Sequence, residues 1–171
     1  PAADAVPAMI VADAICTIVG PKGQREARVE DIVTGPGQTT LKKDEMIVDF
    51  VFPERPPHSG DAYLRFIPRT EMDIAVVGAG VSLTLDETGV CINAKVSLGA
   101  VAATQLVLEE GASVLIGGVL DDAALENLKS LASAACRPIN DKRGTIEYRT
   151  KVAGVLAQRA AKIAKQRAEK V

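Results

Sequence analysis

Histidine and the aromatic residues are scarce in this sequence. Its 171 residues include one histidine, two tyrosines, three phenylalanines and no tryptophan. A catalytic triad would have to use His58, which lies in the proline-rich segment 55–60, so we interpret this histidine as a solvated loop residue. With so few aromatic residues, the core must be built from alanine, valine, leucine and isoleucine.

Cysteine and long apolar runs are also lacking. Only three cysteines occur, Cys16, Cys91 and Cys136, and they lie far apart in the chain. Their odd number and wide spacing argue against a disulfide framework and against a zinc or iron–sulfur site, and they favour a reducing cytoplasm. No stretch approaches the ~20 apolar residues that a membrane span needs.

Charge of one sign is not in excess, because the formal net charge is −2. Nucleic-acid binding needs a basic face, and the basic cluster of this sequence is confined to its last residues. Its members are Lys162, Lys165, Arg167 and Lys170. Cations at that place suit the C-terminal end of a helix dipole, so we expect no nucleic-acid partner.

The first part of the chain predicts short elements separated by turns. Residues 5–12 are apolar and predict a short helix for which Asp4 is placed as the N-cap. Strands are predicted at 15–19, 24–29 and 45–52. In the last of these, Ile47 and its alternate neighbours share one face. Segment 55–60 has the composition of a linker, and we place a domain boundary there.

The second part predicts strands followed by helices. The strands are 62–66, 74–85 and 90–98, and a hairpin turn joins the last two. Asp121 is placed to cap a helix with the apolar stripe Leu125, Leu128, Leu131 and Ala135. A last helix, from about Thr145, has the stripe Tyr148, Val152, Val155, Leu156 and Ile163. This order predicts an α+β fold with helices laid on a small antiparallel sheet.

A glycine pair in the apolar run 74–80 is similar to a nucleotide-binding turn. In a dinucleotide fold, glycines such as Gly78 and Gly80 let backbone N–H groups approach a pyrophosphate. The third glycine of that fingerprint would fall at Leu83, and the residues after Gly80 are β-prone and lead into a hairpin. We therefore interpret the pair as a place where another element packs closely against a strand.

Two charged segments allow both a structural and a functional interpretation. The loop 67–73 and its flanks contain Arg65, Arg69, Glu71 and Asp73, which could form weak solvated ion pairs or face a cofactor. Composition alone favours the ion pairs. Residues 137–149 could connect and cap helices, or they could form a docking surface, since arginine is enriched in interfaces.

Four motifs occur together in this chain. They are Pro1-Ala2-Ala3-Asp4; Asp44-Glu45 within segment 41–53; Arg69-Thr70-Glu71-Met72-Asp73-Ile74-Ala75; and Asp141-Lys142-Arg143-Gly144 followed by Glu147-Tyr148-Arg149. In combination they resemble the FAD-binding medium subunit of molybdenum hydroxylases, the carbon monoxide dehydrogenase and xanthine dehydrogenase family. The chain differs from that pattern in two places, with Arg65 where a lysine is common and Ala103-Thr104-Gln105 where Pro-Thr-Pro is often found.

The resemblance implies that residues 1–54 end an FAD-binding domain and that residues 61–171 form an α+β C-terminal domain. It also implies that Asp4, Ile47 and Arg65 contact FAD, and that the loop 66–73 is the mobile segment near the isoalloxazine ring. It names no acid, base or nucleophile, because the redox chemistry belongs to the cofactor.

The resemblance further implies an oxidoreductase component that passes electrons from iron–sulfur clusters through FAD to NAD or a quinone. The expected partners are a large subunit that holds molybdopterin and a small iron–sulfur subunit, in the cytoplasm or peripherally on the inner face of the membrane. The family's pyrophosphate-binding glycine motifs are not among these residues, so we expect the isolated chain to be inactive. The alternative is a non-catalytic docking module that binds no FAD in isolation.

Overall fold

A computed structural model describes residues 4–69 and 73–170. Positions 1–3, 70–72 and 171 lie outside the described residues, and with them lie Glu71 of the charged loop and most of the first motif. The helices are α1 (Val6–Val11), α2 (Glu109–Ser113), α3 (Asp122–Ala135) and α4 (Ile146–Ala168). The strands are β1 (Ile15–Gly20), β2 (Gly23–Arg28), β3 (Val33–Gly35), β4 (Gln38–Thr39), β5 (Met46–Val51), β6 (Ser59–Phe66), β7 (Val77–Leu85), β8 (Cys91–Gly99) and β9 (Leu106–Val107).

The first sheet has the antiparallel order β2-β1-β5. The hairpin between β1 and β2 turns at Gly23, whose φ of 112° lies in the region that favours glycine. A small apolar core that includes Ile10, Ile18 and Ile32 packs against this sheet. Strands β3 and β4 form a separate hairpin, in a region where sequence analysis predicted no strand.

Strand β5 is an edge of this sheet and carries exposed apolar side chains. Ile47 is partly buried and packs on the small core, whereas Val48, Phe50 and Val51 are exposed. An exposed apolar edge strand presents unpaired backbone groups and can pair with a further strand. The described residues therefore leave this side of the sheet open.

The second sheet contains β6, β7, β8 and β9 in sequence order, and all its neighbours are antiparallel. Helix α4 packs on one face, α3 packs against α4, and both helices bury the larger core with the sheet. Helix α1 lies on the other face, where Pro7 meets Gly80 and Gly99. The predicted α+β class and the antiparallel pairing of β7 with β8 are confirmed.

The glycines of β7 serve close packing. A Cβ on Gly80 would lie 2.8 Å from the Pro7 carbonyl oxygen, so the absent side chain leaves the space that α1 fills. Strand β7 runs antiparallel to both its neighbours and continues into a hairpin. A nucleotide-binding turn would need a strand that leads into a helix, so the dinucleotide-fold interpretation of Gly78 and Gly80 is ruled out.

Helix α4 contacts the sheet through alanines, not through the larger residues of the predicted stripe. Its buried alanines are Ala153, Ala157, Ala160, Ala161, Ala164 and Ala168. Of the predicted stripe, Leu156 is buried, Val152 and Ile163 are partly buried against the larger core, and Tyr148 is exposed, so the prediction was wrong for Tyr148. The reason for the alanines is spacing: α4 runs so close to β6 that a Cβ on Gly60 would lie 2.0 Å from the Ala164 carbonyl oxygen. Methyl side chains fit that distance.

The predicted starts of helices α3 and α4 are correct. Asp121 accepts a hydrogen bond from the Ala124 N–H at 2.8 Å, and Thr145 accepts one from the Tyr148 N–H at 3.1 Å. Each bond satisfies an N–H group that has no partner within its own helix. Within residues 4–69 and 73–170, no helix is long and apolar enough to cross a bilayer.

Glu45 ties β2 to the turn that precedes β5. Its carboxylate accepts hydrogen bonds from Arg25 Nε at 3.1 Å, from Arg25 Nη2 at 2.8 Å and from the Lys42 N–H at 2.9 Å. The bonds from Arg25, and next the bond from Lys42, lower the pKa of Glu45 from 4.5 to about 2. The pair with Arg25 therefore stabilises the first sheet wherever the carboxyl is ionised.

We expect Glu45→Gln to remove a pH-dependent part of the free energy of unfolding. Because the folded pKa lies below the unfolded one, the carboxylate stabilises the fold above pH 4.5 and loses that effect as the pH falls towards about 2. Urea unfolding at several pH values should show a parent–variant difference that closes across this window. Glu26→Gln, at an exposed site on β2, is the control and should show no such closing. If the difference in the free energy of unfolding between the parent and Glu45→Gln stayed constant at every pH, the lowered pKa of Glu45 would be wrong.

Candidate functional site

The carboxylate of Asp4 joins the start of the chain to the second sheet. Its Oδ1 accepts a hydrogen bond from the Ala75 N–H at 2.9 Å, and its Oδ2 pairs with Nη1 of Arg65. Its backbone carbonyl accepts the hydroxyl of Tyr63. The predicted N-cap role of Asp4 was wrong, because α1 begins after Ala5 with no side-chain cap. A carboxylate already bonded to Arg65 and Ala75 is drawn away from the helix.

The pairing of strands explains why Arg65 and Tyr63 reach Asp4 together. They alternate along β6 and therefore share one face of the sheet. Gly78 lies opposite Arg65 on β7, and a Cβ there would approach the Tyr63 hydroxyl to 2.7 Å. The missing side chain at Gly78 thus leaves room for the tyrosine ring. The charged groups at this place, Arg65 and Asp4, remain about one-third exposed at their side chains.

Tyr63 stays a neutral hydrogen-bond donor at this site. Burial, and then the negative charge of Asp4, raise the pKa of Tyr63 to about 12. The hydroxyl consequently keeps its proton at every physiological pH and donates it to the Asp4 carbonyl. It holds the backbone that carries the carboxylate.

A second group of ion pairs holds the end of the charged loop. The carboxylate of Asp73 accepts Arg143 Nε at 2.8 Å and Arg69 Nε at 3.3 Å. The Asp73 side chain is only 3% exposed, whereas the Arg69 side chain is 71% exposed. The hydrogen bond from Arg143 is the main cause that lowers the pKa of Asp73. Asp73 and Arg143 therefore form the buried part of this group, and Arg69 lies at its surface.

Arg149 is the most buried arginine of this region, at 4% exposure. Its Nη1 donates to the backbone carbonyls of Val76 at 2.8 Å and Ala100 at 3.3 Å, and its Nη2 donates to Asp141 at 2.7 Å. Asp141 in turn accepts the backbone N–H of Arg143 at 2.7 Å. The sequence allowed residues 137–149 a connecting or a docking role. Within that segment, Asp141 and Arg149 make internal contacts, and those of Arg149 reach the residues just before β7.

A cavity of about 420 Å³ opens beside these groups. Ile74 and Ala75 line one side of it, and Arg149 and Asp141 line another. Arg137 also lines the cavity, and the other lining residues are apolar, among them Pro36, Ala100, Ala102 and Ile139. An apolar hollow with a few charged groups is the usual form of a small-molecule or cofactor site.

The structure brings together two of the three predicted site residues. Asp4 and Arg65 are in direct contact. Ile47 lies in the other sheet, on β5 opposite Ile18, where its side chain packs on the smaller core. The interpretation of Ile47 as a cofactor contact stays a prediction.

Sequence analysis missed Tyr63 and Arg149 as individual site residues. Tyr63 could have been found from its two-residue spacing to Arg65 on a predicted strand. Arg149 lies at helical spacing from the buried residues Ala153, Leu156 and Ala160, which marks it as inward-facing. An arginine on the buried face of a helix requires internal acceptors, and here they are two carbonyls and a carboxylate.

Two family models match the chain. Residues 62–164, more than half of it, match the CO dehydrogenase flavoprotein C-terminal domain, and residues 1–55 match the FAD binding domain in molybdopterin dehydrogenase. The chain is 38% identical over 152 residues to the carbon monoxide dehydrogenase medium chain of Afipia carboxidovorans, covering 89% of this chain and 52% of that protein. It is 28% identical to the xanthine dehydrogenase FAD-binding subunit of Escherichia coli O157:H7, covering 86% and 50%. The chain therefore spans about half the length of these curated relatives.

Solved structures give the same result. Reconstituted CO dehydrogenase from Oligotropha carboxidovorans contains a chain that superposes with a TM-score of 0.91 at 36% identity, covering 98% of this chain and 58% of that one. Quinoline 2-oxidoreductase from Pseudomonas putida 86 gives a TM-score of 0.85 at 25% identity, covering 96% and 56%. The similarity thus includes both sheets described above.

Proposed function

Because the chain belongs to the family of CO dehydrogenase flavoprotein C-terminal domains, we propose that it forms the C-terminal part of an FAD-carrying subunit of a molybdenum hydroxylase. In this proposal residues 1–54 complete the flavin-binding domain and residues 61–171 form the C-terminal domain. The observation that carries it is the contact of Asp4 with Arg65, which joins the two regions where the resemblance implies FAD.

The chemistry of these residues fits a flavin nucleotide. A carboxylate such as Asp4 accepts hydrogen bonds from hydroxyl and N–H groups, which FAD offers on its ribityl chain and ring. The guanidinium of Arg65 offers donors to carbonyl or phosphate oxygens. Arg65 uses Nη1 for Asp4, and its side chain is 35% exposed, so it is accessible to a ligand. FAD, when bound, supplies reversible electron and hydride chemistry, which no side chain of this chain offers.

The residues of this chain would hold and orient that cofactor. Asp4 would accept a hydrogen bond from it, while Tyr63 and the Ala75 N–H keep Asp4 in place. Arg65 would place positive charge beside it and offset part of its negative charge. A fixed arrangement of this kind lowers the entropic cost of placing the flavin for electron transfer.

The complete complex is proposed from the same family membership. We place a molybdopterin-containing large subunit and an iron–sulfur small subunit as partners, with electrons leaving the flavin for NAD or a quinone. The complex would work in the cytoplasm. A subunit that docks partners without binding FAD is the second candidate, and the exposed apolar strand β5 favours it as a surface for further protein.

Replacing Arg65 tests the proposal in the complete subunit. We expect Arg65→Ala to weaken FAD binding by about 10–100-fold, because a hydrogen bond from a charged donor contributes roughly 1.5–3 kcal/mol. Titration with FAD, followed by flavin fluorescence, measures the dissociation constant. Arg55→Ala is the matched control, because Arg55 pairs with Asp61 at an exposed site, and its affinity should equal that of the parent.

The outcomes separate the two candidates. Parent subunit that purifies with flavin absorbance, together with a weakened Arg65→Ala variant, supports the flavin role. Equal affinity in parent and Arg65→Ala would remove Arg65 from the site. A parent subunit that shows no flavin bands and takes up no added FAD would favour the docking module.

A further inference from the structure

Three of the four residues 73–76, which precede β7, are held by side chains from three other parts of the chain. The carboxylate of Asp73 is held by Arg143, the N–H of Ala75 is held by Asp4, and the carbonyl of Val76 is held by Arg149. The backbone N–H of Val76 also donates to the Phe66 carbonyl at 2.9 Å, which closes the base of the loop between β6 and β7. Residues 73–76 therefore have a fixed position that regular sheet pairing alone does not provide.

The ion pair between Asp73 and Arg143 ties residues 73–76 to the turn 141–144, which precedes α4. Residues Asp141 and Gly144 form an isolated antiparallel bridge, and Arg143 extends from its turn. The Asp73 side chain is 3% exposed and that of Arg143 is 25% exposed. Solvent therefore screens this pair much less than it screens the other ion pair of Asp73, with the exposed Arg69.

The same segment reaches the flavin-contact residues through one hydrogen bond. The Ala75 N–H fixes Oδ1 of Asp4, which leaves Oδ2 directed at Arg65. A displacement of residues 73–76 would move that N–H and release the carboxylate from its present orientation. Arg143 therefore acts on Asp4 at a distance, through Asp73 and the backbone to Ala75.

We propose that Asp73 and Arg143 are positioning residues, which fix the Ala75 N–H so that Asp4 and Arg65 keep the geometry that receives the flavin. This inference rests on the proposed function for its ligand. Its structural part, the fixing of residues 73–76 by Arg143, can be tested without flavin. Neither residue needs to touch the cofactor.

The first test is hydrogen–deuterium exchange on this chain without FAD. We expect Arg143→Gln to speed exchange of the Ala75 and Val76 amides about tenfold, equivalent to roughly 1.4 kcal/mol of lost local protection. Lys142→Gln is the control, because it removes an adjacent exposed charge. Arg143→Lys keeps the charge with a single donor nitrogen and should recover part of the protection.

The second test measures flavin binding in the complete subunit. Arg143→Gln should weaken FAD binding several-fold and change the shape of the visible flavin absorbance bands, while Lys142→Gln matches the parent. Asp73→Asn should have a similar effect, and the double variant should be no weaker than the stronger single one, because both changes remove the same contact.

The results separate this inference from the proposed function. If the parent binds no FAD, the proposed function fails, and the exchange data still decide whether Arg143 fixes residues 73–76. If the parent binds FAD and Arg143→Gln behaves like Lys142→Gln in both tests, the positioning role is wrong. If Arg143→Gln does not fold, Arg143→Lys decides the question. Amide protection and FAD affinity that lie between those of the parent and of Asp73→Asn would support the positioning role. Values equal to those of the parent would contradict it.

Discussion

Gly60→Ala is expected to lower the free energy of unfolding by at least about 3 kcal/mol, the upper end of what overpacking costs. The added Cβ would lie 2.0 Å from the Ala164 carbonyl oxygen and 2.5 Å from the Ala168 nitrogen, both in the backbone of α4. A helix backbone cannot turn aside as a flexible side chain can, so α4 must shift along its contact with β6. Denaturation in urea, followed by circular dichroism, measures the loss.

Gly118→Ala is the matched control for this substitution. No heavy atom lies within 4 Å of a Cβ built on Gly118, and its backbone is not in the left-handed region. We expect it to change the free energy of unfolding by less than ~1 kcal/mol, in either direction. Equal stability of the Gly60→Ala and Gly118→Ala variants would show that α4 does not lie as close to the sheet as described.

Arg149→Met is expected to cost about 3 kcal/mol of stability, although methionine fills a similar volume. It leaves the carbonyl of Val76 without its charged donor and removes the partner of Asp141. A buried acceptor that loses its hydrogen-bond partner costs roughly 1–3 kcal/mol, and the Ala100 carbonyl adds to that loss. Thermal and urea unfolding of the variant measure the effect.

Arg159→Met, on an exposed face of the same helix, controls for the change of residue type. It should be close to neutral, since surface substitutions usually lie within ~0.5 kcal/mol of the parent. If both variants lost the same stability, the cost would come from the helix and not from the acceptors that Arg149 satisfies. If neither lost any, the described contacts of Arg149 would contribute nothing.

The parts of the fold that sequence analysis predicted correctly depend on local or strongly periodic signals. The pairing of β7 with β8 follows from alternation on either side of a tight turn, and the cap at Asp121 needs only a residue three positions away. The α+β class follows from the order of these elements. In each case, interactions between residues close in sequence were sufficient for the prediction.

The errors concern contacts between residues distant in sequence. Asp4 was predicted to cap the helix that directly follows it, but its carboxylate accepts a hydrogen bond from the Ala75 N–H, 71 positions along the chain. The inward face of α4 consists mostly of alanines, whose weak hydropathy gives no strong stripe. Only the distance to Gly60 reveals why small residues are required there. Such distances come from the packed sheet and cannot be obtained from composition or periodicity.

The candidate site was predictable in part for the same reason. Asp4 and Arg65 came from motif resemblance, and the structure places them in contact. The contacts of Arg143 and Arg149 with residues 73–76 link positions about 70 apart, and no local pattern indicates them. Sequence analysis left both a structural and a functional interpretation open for the charged segments, and only the structure identifies the partners of their side chains.

The central claim is that Asp4 and Arg65 together form one wall of an FAD site. A crystal structure of the flavin-loaded complete subunit tests it most directly. We predict that the carboxylate of Asp4 and the guanidinium of Arg65 each lie within hydrogen-bonding or van der Waals distance of FAD, with the two residues still adjacent. FAD bound at a place where neither side chain contacts it would contradict the claim.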